Sequence, residues 1–217
     1  MLATKSFIQQ LSNSEQKLMA KLNSPSKIQS FLDELTYSSE EIYRCPLRAL
    51  RDRIAHCFDG SLFGAAALRL IGYPPLILDM VPNDRDDDHI LALYKANGHW
   101  GAVAKSNFVG LRFREPVYRN LRELVMSYFE QYYNVATEKT LRAYTLPLNL
   151  KIFDKFNWMI RDDHLERIAI RLDQLRKIPV ITSEMAAGLS LVDPRSSESG
   201  LVGSVATGLF KPGQTKN

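Results

Sequence analysis

The chain has 217 residues, of which 45% are apolar and 24% are charged, and its formal net charge is +4 at pH 7. These values are typical of a folded domain with a core. Ten Pro, eleven Gly and 10% aromatic residues exclude collagen, a coiled coil and wholesale disorder. Basic residues do not cluster into the runs that bind nucleic acid. No apolar run approaches the ~20 residues of a membrane-spanning helix, and residues 1–17 lack the apolar stretch of a secretory signal. We therefore expect a cytoplasmic protein that binds neither nucleic acid nor a membrane.

The first part of the chain is predicted to be helical. Apolar residues recur at intervals of three and four over residues 5–22 and again after Ser24. A further helix is predicted to begin at Cys45-Pro46, because proline is tolerated in a first helical turn. Residues 57–73 are small and apolar almost throughout, and a helix that is apolar on all sides is a buried one.

The middle of the chain is predicted to form antiparallel strands. Residues 76–81 and 89–94 have the composition of short strands, and the acidic stretch 82–88 between them is a predicted turn. Asn97-Gly98 is a strong signal for a two-residue hairpin turn. Residues 100–106 are then the returning strand.

The C-terminal part is predicted to be helical and then flexible. Residues 115–134 have an amphipathic helical pattern, whose apolar stripe is Leu121, Leu124, Val125, Tyr128, Phe129 and Tyr132. Residues 164–177 are predicted to be a surface helix. Residues 186–217 are rich in Gly and Ser and lack periodicity, so we expect a flexible tail after a single domain of residues 1–185. The fold class predicted from these elements is α+β.

The two cysteines, Cys45 and Cys57, are not part of a Cys-x-x-Cys pair, and no group of His and Cys residues has the spacing of a structural zinc site. We therefore expect free thiols, no metal and no cofactor. Cys57 is the first residue of the predicted buried helix, where backbone N–H groups and the helix dipole favour a thiolate. A thiolate nucleophile also needs an imidazole partner, and His89 opens a strand shortly after.

These residues resemble those of the transglutaminase-like superfamily. The resemblance is carried by Cys57 at the head of a small-residue helix, by the helix exit "GYPPLIL", by His89 at a strand start and by the returning strand "GHWGAV". It covers about residues 45–110, and the segment that follows looks like an uncharacterised bacterial branch of that superfamily. The resemblance implies a papain-like core over about residues 45–135, flanked by N- and C-terminal helices. It also implies a Cys–His–acid site.

The chain departs from the family pattern at the acid. The expected position falls near Ala104, which cannot orient an imidazole. Asp88 precedes His89 directly, and neighbouring residues of a strand point to opposite faces. Asn107 is therefore our candidate for the residue that orients His89, since an amide can replace the acid in papain-like sites.

The acidic run DRDDDH at 84–89 could be a calcium loop, but His89 and Lys95 stand where an EF-hand needs Gly and Glu. We expect a solvated acidic turn that favours the imidazolium form of His89. Arg112 and Arg114 are candidate substrate-binding residues, because arginine forks bind carboxylates and phosphates, and Trp100 is a third. Ion pairs with Glu115 or Glu123 are the alternative for the arginines.

The sequence therefore predicts a cysteine-dependent enzyme that transfers an acyl group, or hydrolyses an amide or thioester, with Cys57 as nucleophile. Its substrate would be a protein, a peptide or a small amide. Hydrolysis by a peptidase or amidase is slightly preferred over cross-linking, because nothing separately indicates cross-linking. The alternative is a catalytically inactive protein of the same fold that binds a partner. The oligomeric state is left open.

Overall fold

A seven-stranded antiparallel sheet lies at the centre of the protein, as described for residues 2–40 and 42–213 by a computed structural model. The helices are α1 (Leu2–Gln10), α2 (Asn13–Lys21), α3 (Pro25–Glu34), α4 (Pro46–Asp52), α5 (Cys57–Leu70), α6 (Leu121–Met126), α7 (Glu166–Asp173), α8 (Ser183–Ala187) and α9 (Pro194–Gly200). The strands are β1 (Thr36–Tyr37), β2 (Ile54–Ala55), β3 (Leu76–Pro82), β4 (His89–Ala96), β5 (His99–Val103), β6 (Arg114–Tyr118), β7 (Leu141–Thr145), β8 (Leu148–Asn149) and β9 (Lys177–Pro179). Short 3-10 helices are Val109–Leu111, Phe129–Gln131, Leu150–Phe156 and Ala206–Gly208.

The sheet runs in the order β6-β5-β4-β3-β7-β9, with β8 paired to β3 beside β7, and β1 and β2 form a separate parallel pair. The predicted α+β class is confirmed, and the architecture is compatible with a papain-like core. The expected division into one domain of residues 1–185 stays a prediction. None of the helices in the described ranges is long and apolar enough to cross a bilayer.

The two faces of the sheet pack against different layers. Along β4, Ile90 and Ala92 belong to the hydrophobic cluster that includes α5, whereas Leu91 and Leu93 belong to the cluster that includes α6. This alternation is the period of two of a strand that is buried on both faces. By the same period, His89 extends toward the face opposite α5.

Helix α5 is fixed both at its first turn and in its middle. His56 caps its first turn by accepting a hydrogen bond from Phe58 N, and Asp59 completes the capping box. Gly64 lets the helix approach the sheet, because a Cβ there would lie 2.9 Å from Val103 Cγ2. The predicted buried helix is confirmed, since residues 58–68 are all buried.

The predicted hairpin is also confirmed. Asn97 and Gly98 have φ values of 50° and 79°, which is the left-handed geometry of a type I′ turn. The turn sets the β4–β5 register, in which Ala92 pairs with Val103.

The expectation of one amphipathic helix in the second half of the chain is wrong. Residues 115–134 are not one helix, because most of β6 and the short helix α6 occupy this range. Most residues of the predicted apolar stripe are buried, as a helix would also require. However, Pro116 lies in an edge strand, where proline is tolerated, and α6 begins only after the Asn120 cap.

The C-terminal stretch is packed, in contrast to the flexible tail expected for residues 186–217. Within residues 186–213, α9 lies against Tyr133, whose hydroxyl donates to Ser196 O at 2.9 Å. A Cβ on Gly200 would lie only 1.9 Å from that hydroxyl oxygen. The stretch is held through main-chain atoms and close glycine contacts, which leave no hydrophobic period in the sequence. Residues 214–217 lie outside the described residues.

Candidate active site

Cys57 is the first residue of α5, and its thiol contacts the main chain of β4. Its Sγ donates to Asp88 O at 3.6 Å, and Ile90 N–H also interacts with the sulfur. The thiol therefore touches the peptide groups on both sides of His89. This places the predicted nucleophile against the residue that the sequence pairs with it.

The electrostatic environment of Cys57 favours the neutral thiol. Burial raises the thiol pKa well above its usual value, and the nearby carboxylates of Asp87, Asp88 and Asp59 raise it further. Ile90 N–H offsets only part of this effect, because one hydrogen bond does not replace the hydration lost on burial. In this conformation the helix N-terminus does not produce a thiolate.

His89 begins β4 and is 4% exposed. Its Nε2 lies 2.7 Å from Leu111 O. A carbonyl can only accept, so this contact assigns the proton to Nε2 and leaves the Nδ1 lone pair available as a base. Burial lowers the His89 pKa to about 4. The expectation that the acidic turn favours the imidazolium is wrong, because desolvation dominates.

The structure does not join the thiol and the imidazole directly. Among the described residues, Cys57 Sγ hydrogen-bonds to main-chain atoms and His89 Nε2 to Leu111. The strand period directs the imidazole to the face opposite α5, while the thiol lies level with the backbone of β4. The two groups are neighbours along one strand without sharing a proton.

Asn107 does not orient His89. Its Nδ2 donates to Val205 O at 2.9 Å, and its Oδ1 accepts from Val205 N at 2.8 Å. The Leu111 carbonyl takes the orienting position instead. Sequence reasoning could not find it, because a main-chain carbonyl has no residue signature. Ala104 is held in a similar way, by two hydrogen bonds of 2.9 Å to the Gln29 amide.

A small cavity of about 50 Å³ lies at the start of β4. Its wall includes Asp86–Asp88, His89, Leu111 and Asn107, and it is lined from other parts of the chain by Tyr37, Ser106, Phe108, Tyr132, Tyr133, Gly208 and Phe210. Tyr37 was not found from the sequence. The Cys57 backbone N–H interacts with its hydroxyl, so Tyr37 links the cavity to Cys57.

The acidic turn beside the cavity is ordered by its own side chains. Asp86 is buried and accepts from Thr140 Oγ1 at 2.5 Å. Tyr132 donates to Asp87 O at 2.8 Å. Asp86 is thus not part of a solvated turn, although Asp87 is exposed. Within the described ranges, no group of three or more His, Cys, Asp or Glu side chains is placed to hold a metal ion.

The three candidate substrate-binding residues do not line this cavity. Arg114 donates to Ser127 Oγ, Ser127 O, Gly110 O and Phe113 O, and its guanidinium lies 3.8 Å from the centre of the Tyr128 ring. Arg112 donates to Ser106 O at 3.4 Å and lies 3.5 Å from Asp33. These contacts hold the side chains of both arginines within the fold.

Trp100 lies far from the start of β4. It pairs with Lys95, which is six residues beyond His89, and six residues of strand span about 20 Å. The aromatic ring packs under Lys95, whose Nζ lies 5.2 Å from the ring centre. The structure therefore does not bring Trp100 to the cavity.

No protein-family model and no curated protein matches this chain. Solved structures of Legionella pneumophila LapG are similar to it: one is 13% identical, with a TM-score of 0.35, and the match covers 48% of this chain and 68% of that one. A second, EGTA-treated, is 12% identical, with a TM-score of 0.40, and the match covers 76% of this chain and 95% of that one. At these values the likeness is a distant one of fold and transfers no activity.

Proposed function

We propose that the protein is a cysteine-dependent acyl-transfer enzyme of the transglutaminase-like kind, which acts on an amide or thioester of a protein or peptide. One observation carries the proposal. The Cys57 thiol contacts the peptide groups on either side of His89, and the Leu111 carbonyl fixes His89 in the tautomer whose Nδ1 is a base. Nucleophile, base and orienting group are the three parts that covalent catalysis by a thiol needs.

The proposed reaction uses these atoms in two steps. The reaction requires the His89 side chain to turn toward the thiol, so that His89 Nδ1 takes the thiol proton and Cys57 Sγ attacks the carbonyl carbon of the substrate. The C–S bond forms, the bond to the amide nitrogen or thioester sulfur breaks, and His89 returns the proton to that leaving group. Water, or an amine in a transfer reaction, then releases the acyl group and restores the thiol.

The backbone N–H of Cys57 is the available donor for the oxyanion of this reaction, since it belongs to the first turn of α5. In the structure this N–H is engaged by Tyr37. The substrate carbonyl would therefore replace the Tyr37 hydroxyl. Hydrolysis is slightly preferred over amine transfer, as the sequence suggests, and the cytoplasmic location stays a prediction.

A second candidate is a non-catalytic protein that keeps the fold and binds a partner. One observation favours it: no hydrogen bond joins Cys57 to His89 within the described residues. Ala104, at the expected acid position, is consistent with the same view. The two candidates differ in whether the imidazole controls the thiol.

The test measures the rate of Cys57 alkylation by iodoacetamide as a function of pH, in the wild type and in His89→Gln. Glutamine keeps a donor for the Leu111 carbonyl but removes the base. Cys45 is the internal control, because burial raises its pKa to about 12. A positioned base is worth about 100-fold or more, so the variant should react at least that much more slowly at neutral pH. Equal rates in both proteins would exclude the enzyme and leave the binding protein.

A further inference from the structure

The C-terminal segment, defined here as residues 203–210, crosses the cavity at the start of β4. Both main-chain groups of Val205 are held by the Asn107 amide, at 2.9 Å and 2.8 Å. Three residues later Gly208 reaches Tyr37, and Phe210 forms part of the cavity wall. The segment thus contacts the cavity at three successive points.

The contacts at Val205 are independent of its side chain. One amide binds the N–H and the C=O of a single residue whose backbone is extended, with φ −91° and ψ 111°. Neighbouring β-strands pair through the same two main-chain groups, the N–H and the C=O of one residue. Proteins bind extended peptides by the same pairing. Asn107 therefore recognises a peptide main chain.

The contact at Gly208 admits no side chain. A Cβ there would lie 2.8 Å and 2.9 Å from two ring carbons of Tyr37, and 3.3 Å from Asn107 Nδ2. Tyr37 is half-buried, and the contact is with carbons of its rigid ring rather than with the end of a flexible side chain. The site selects glycine three residues after the residue that Asn107 holds.

Tyr37 connects this contact to the nucleophile. Its ring packs on Gly208, and its hydroxyl engages the Cys57 N–H that an oxyanion would need. While Gly208 is in place, the Tyr37 ring is fixed and its hydroxyl remains on that N–H. The segment and a reacting carbonyl therefore exclude each other.

On the basis of the proposed function, we propose that the cavity is a peptide-binding site that controls Cys57, and that residues 203–210 occupy it in cis. The ligand class is an extended peptide with glycine three residues after the residue held by Asn107, followed two positions later by an aromatic residue. The chain's own segment is the resident occupant and slows the reaction of Cys57. A peptide with the same features, supplied in trans, competes with the segment and holds Tyr37 on the Cys57 N–H in the same way.

The experiment compares full-length Gly208→Ala with Gly188→Ala, in which the added Cβ meets only atoms at 3.7 Å or more. Gly208→Ala overpacks the contact with Tyr37 and should release the segment. Cys57 should then be alkylated about tenfold faster than in the control. Faster amide hydrogen exchange confined to residues 203–210 shows that release, rather than unfolding, is the cause.

Peptides added in trans test the ligand class. A synthetic peptide with the sequence of residues 203–210, GSVATGLF, should restore slow alkylation in the Gly208→Ala protein. The matched peptide GSVATALF should not, because its alanine meets Tyr37. Protection by neither peptide, or by both equally, would overturn the proposed ligand class.

Failure of this proposal differs from failure of the proposed function. Equal alkylation rates in Gly208→Ala and Gly188→Ala would refute occupation by the segment, whatever His89 does. Fast alkylation of Gly208→Ala that is unchanged by a further His89→Gln substitution would remove the enzyme, and with it the control of a catalytic thiol by the peptide.

Discussion

Burial of His89 makes the stability of the protein depend on pH between about 6.5 and about 4. Desolvation lowers the pKa of His89 from 6.5 to about 4 in the folded state. The unfolded chain therefore binds a proton that the folded chain does not, and the free energy of unfolding decreases as the pH falls through this range. Well above pH 6.5 the imidazole is neutral in both states and the effect vanishes.

The magnitude follows from these two pKa values. At pH 4.5, protonation of the unfolded chain costs roughly 2.5 kcal/mol of stability, whereas at pH 7.5 it costs about 0.1 kcal/mol. His89→Gln keeps the donor for Leu111 O and cannot take up the proton. The stability difference between wild type and variant should therefore shift by roughly 2.5 kcal/mol between the two pH values, in favour of the variant at low pH.

Urea unfolding at pH 7.5 and 4.5 measures this difference. Two other buried groups also make the stability depend on pH, and their contributions cancel when the wild type is compared with the variant. The pKa of His56 is also lowered to about 4, and the pKa of Asp59 is raised to about 7, which has the opposite effect on stability. His99→Gln, at the start of β5, is the matched control. A shift below about 0.5 kcal/mol, or an equal shift in the control, would refute burial of His89 as the cause.

Three further predictions concern the site and its support. Asp87→Asn should lower the pKa of Cys57 and speed its alkylation at fixed pH, because Asp87 is the nearby charge that raises this pKa most; Asp84→Asn, in the same turn, is the control. Arg114→Lys should destabilise the protein by about 1–3 kcal/mol in urea unfolding without changing Cys57 alkylation, since its fork is committed to internal carbonyls. Gly64→Ala should cost about 1–3 kcal/mol, because the new Cβ would lie 2.9 Å from the sheet, and a thermal melt unchanged from wild type would contradict this.

Features with a local cause were predictable from the sequence. The hairpin follows from Asn97-Gly98, whose backbone needs positive φ at both residues. Burial of α5 follows from its all-round small and apolar residues. The position of Cys57 at the start of that helix follows from the same pattern.

Features that depend on tertiary contacts were not predictable. Helical spacing across residues 115–134 gives the same apolar pattern for a buried strand-and-helix pair as for one helix. The position of the C-terminal segment depends on main-chain bonds at Val205, and the orienting group of His89 is the Leu111 carbonyl. Hydrogen bonds to the main chain impose no residue type on the partner, so a single sequence carries no trace of them.

The paired amide contacts of Gln29 with Ala104 and of Asn107 with Val205 have a consequence for sequence drift. Each amide needs both a donor and an acceptor, so the isosteric change to Glu or Asp would set a carboxylate oxygen against a carbonyl. The amides contact only the backbone of the residues they hold. Among descendants of this chain we therefore expect invariant amides at positions 29 and 107. The partner at 205 can vary, whereas the side chain at 104 must stay small because it is buried in the core.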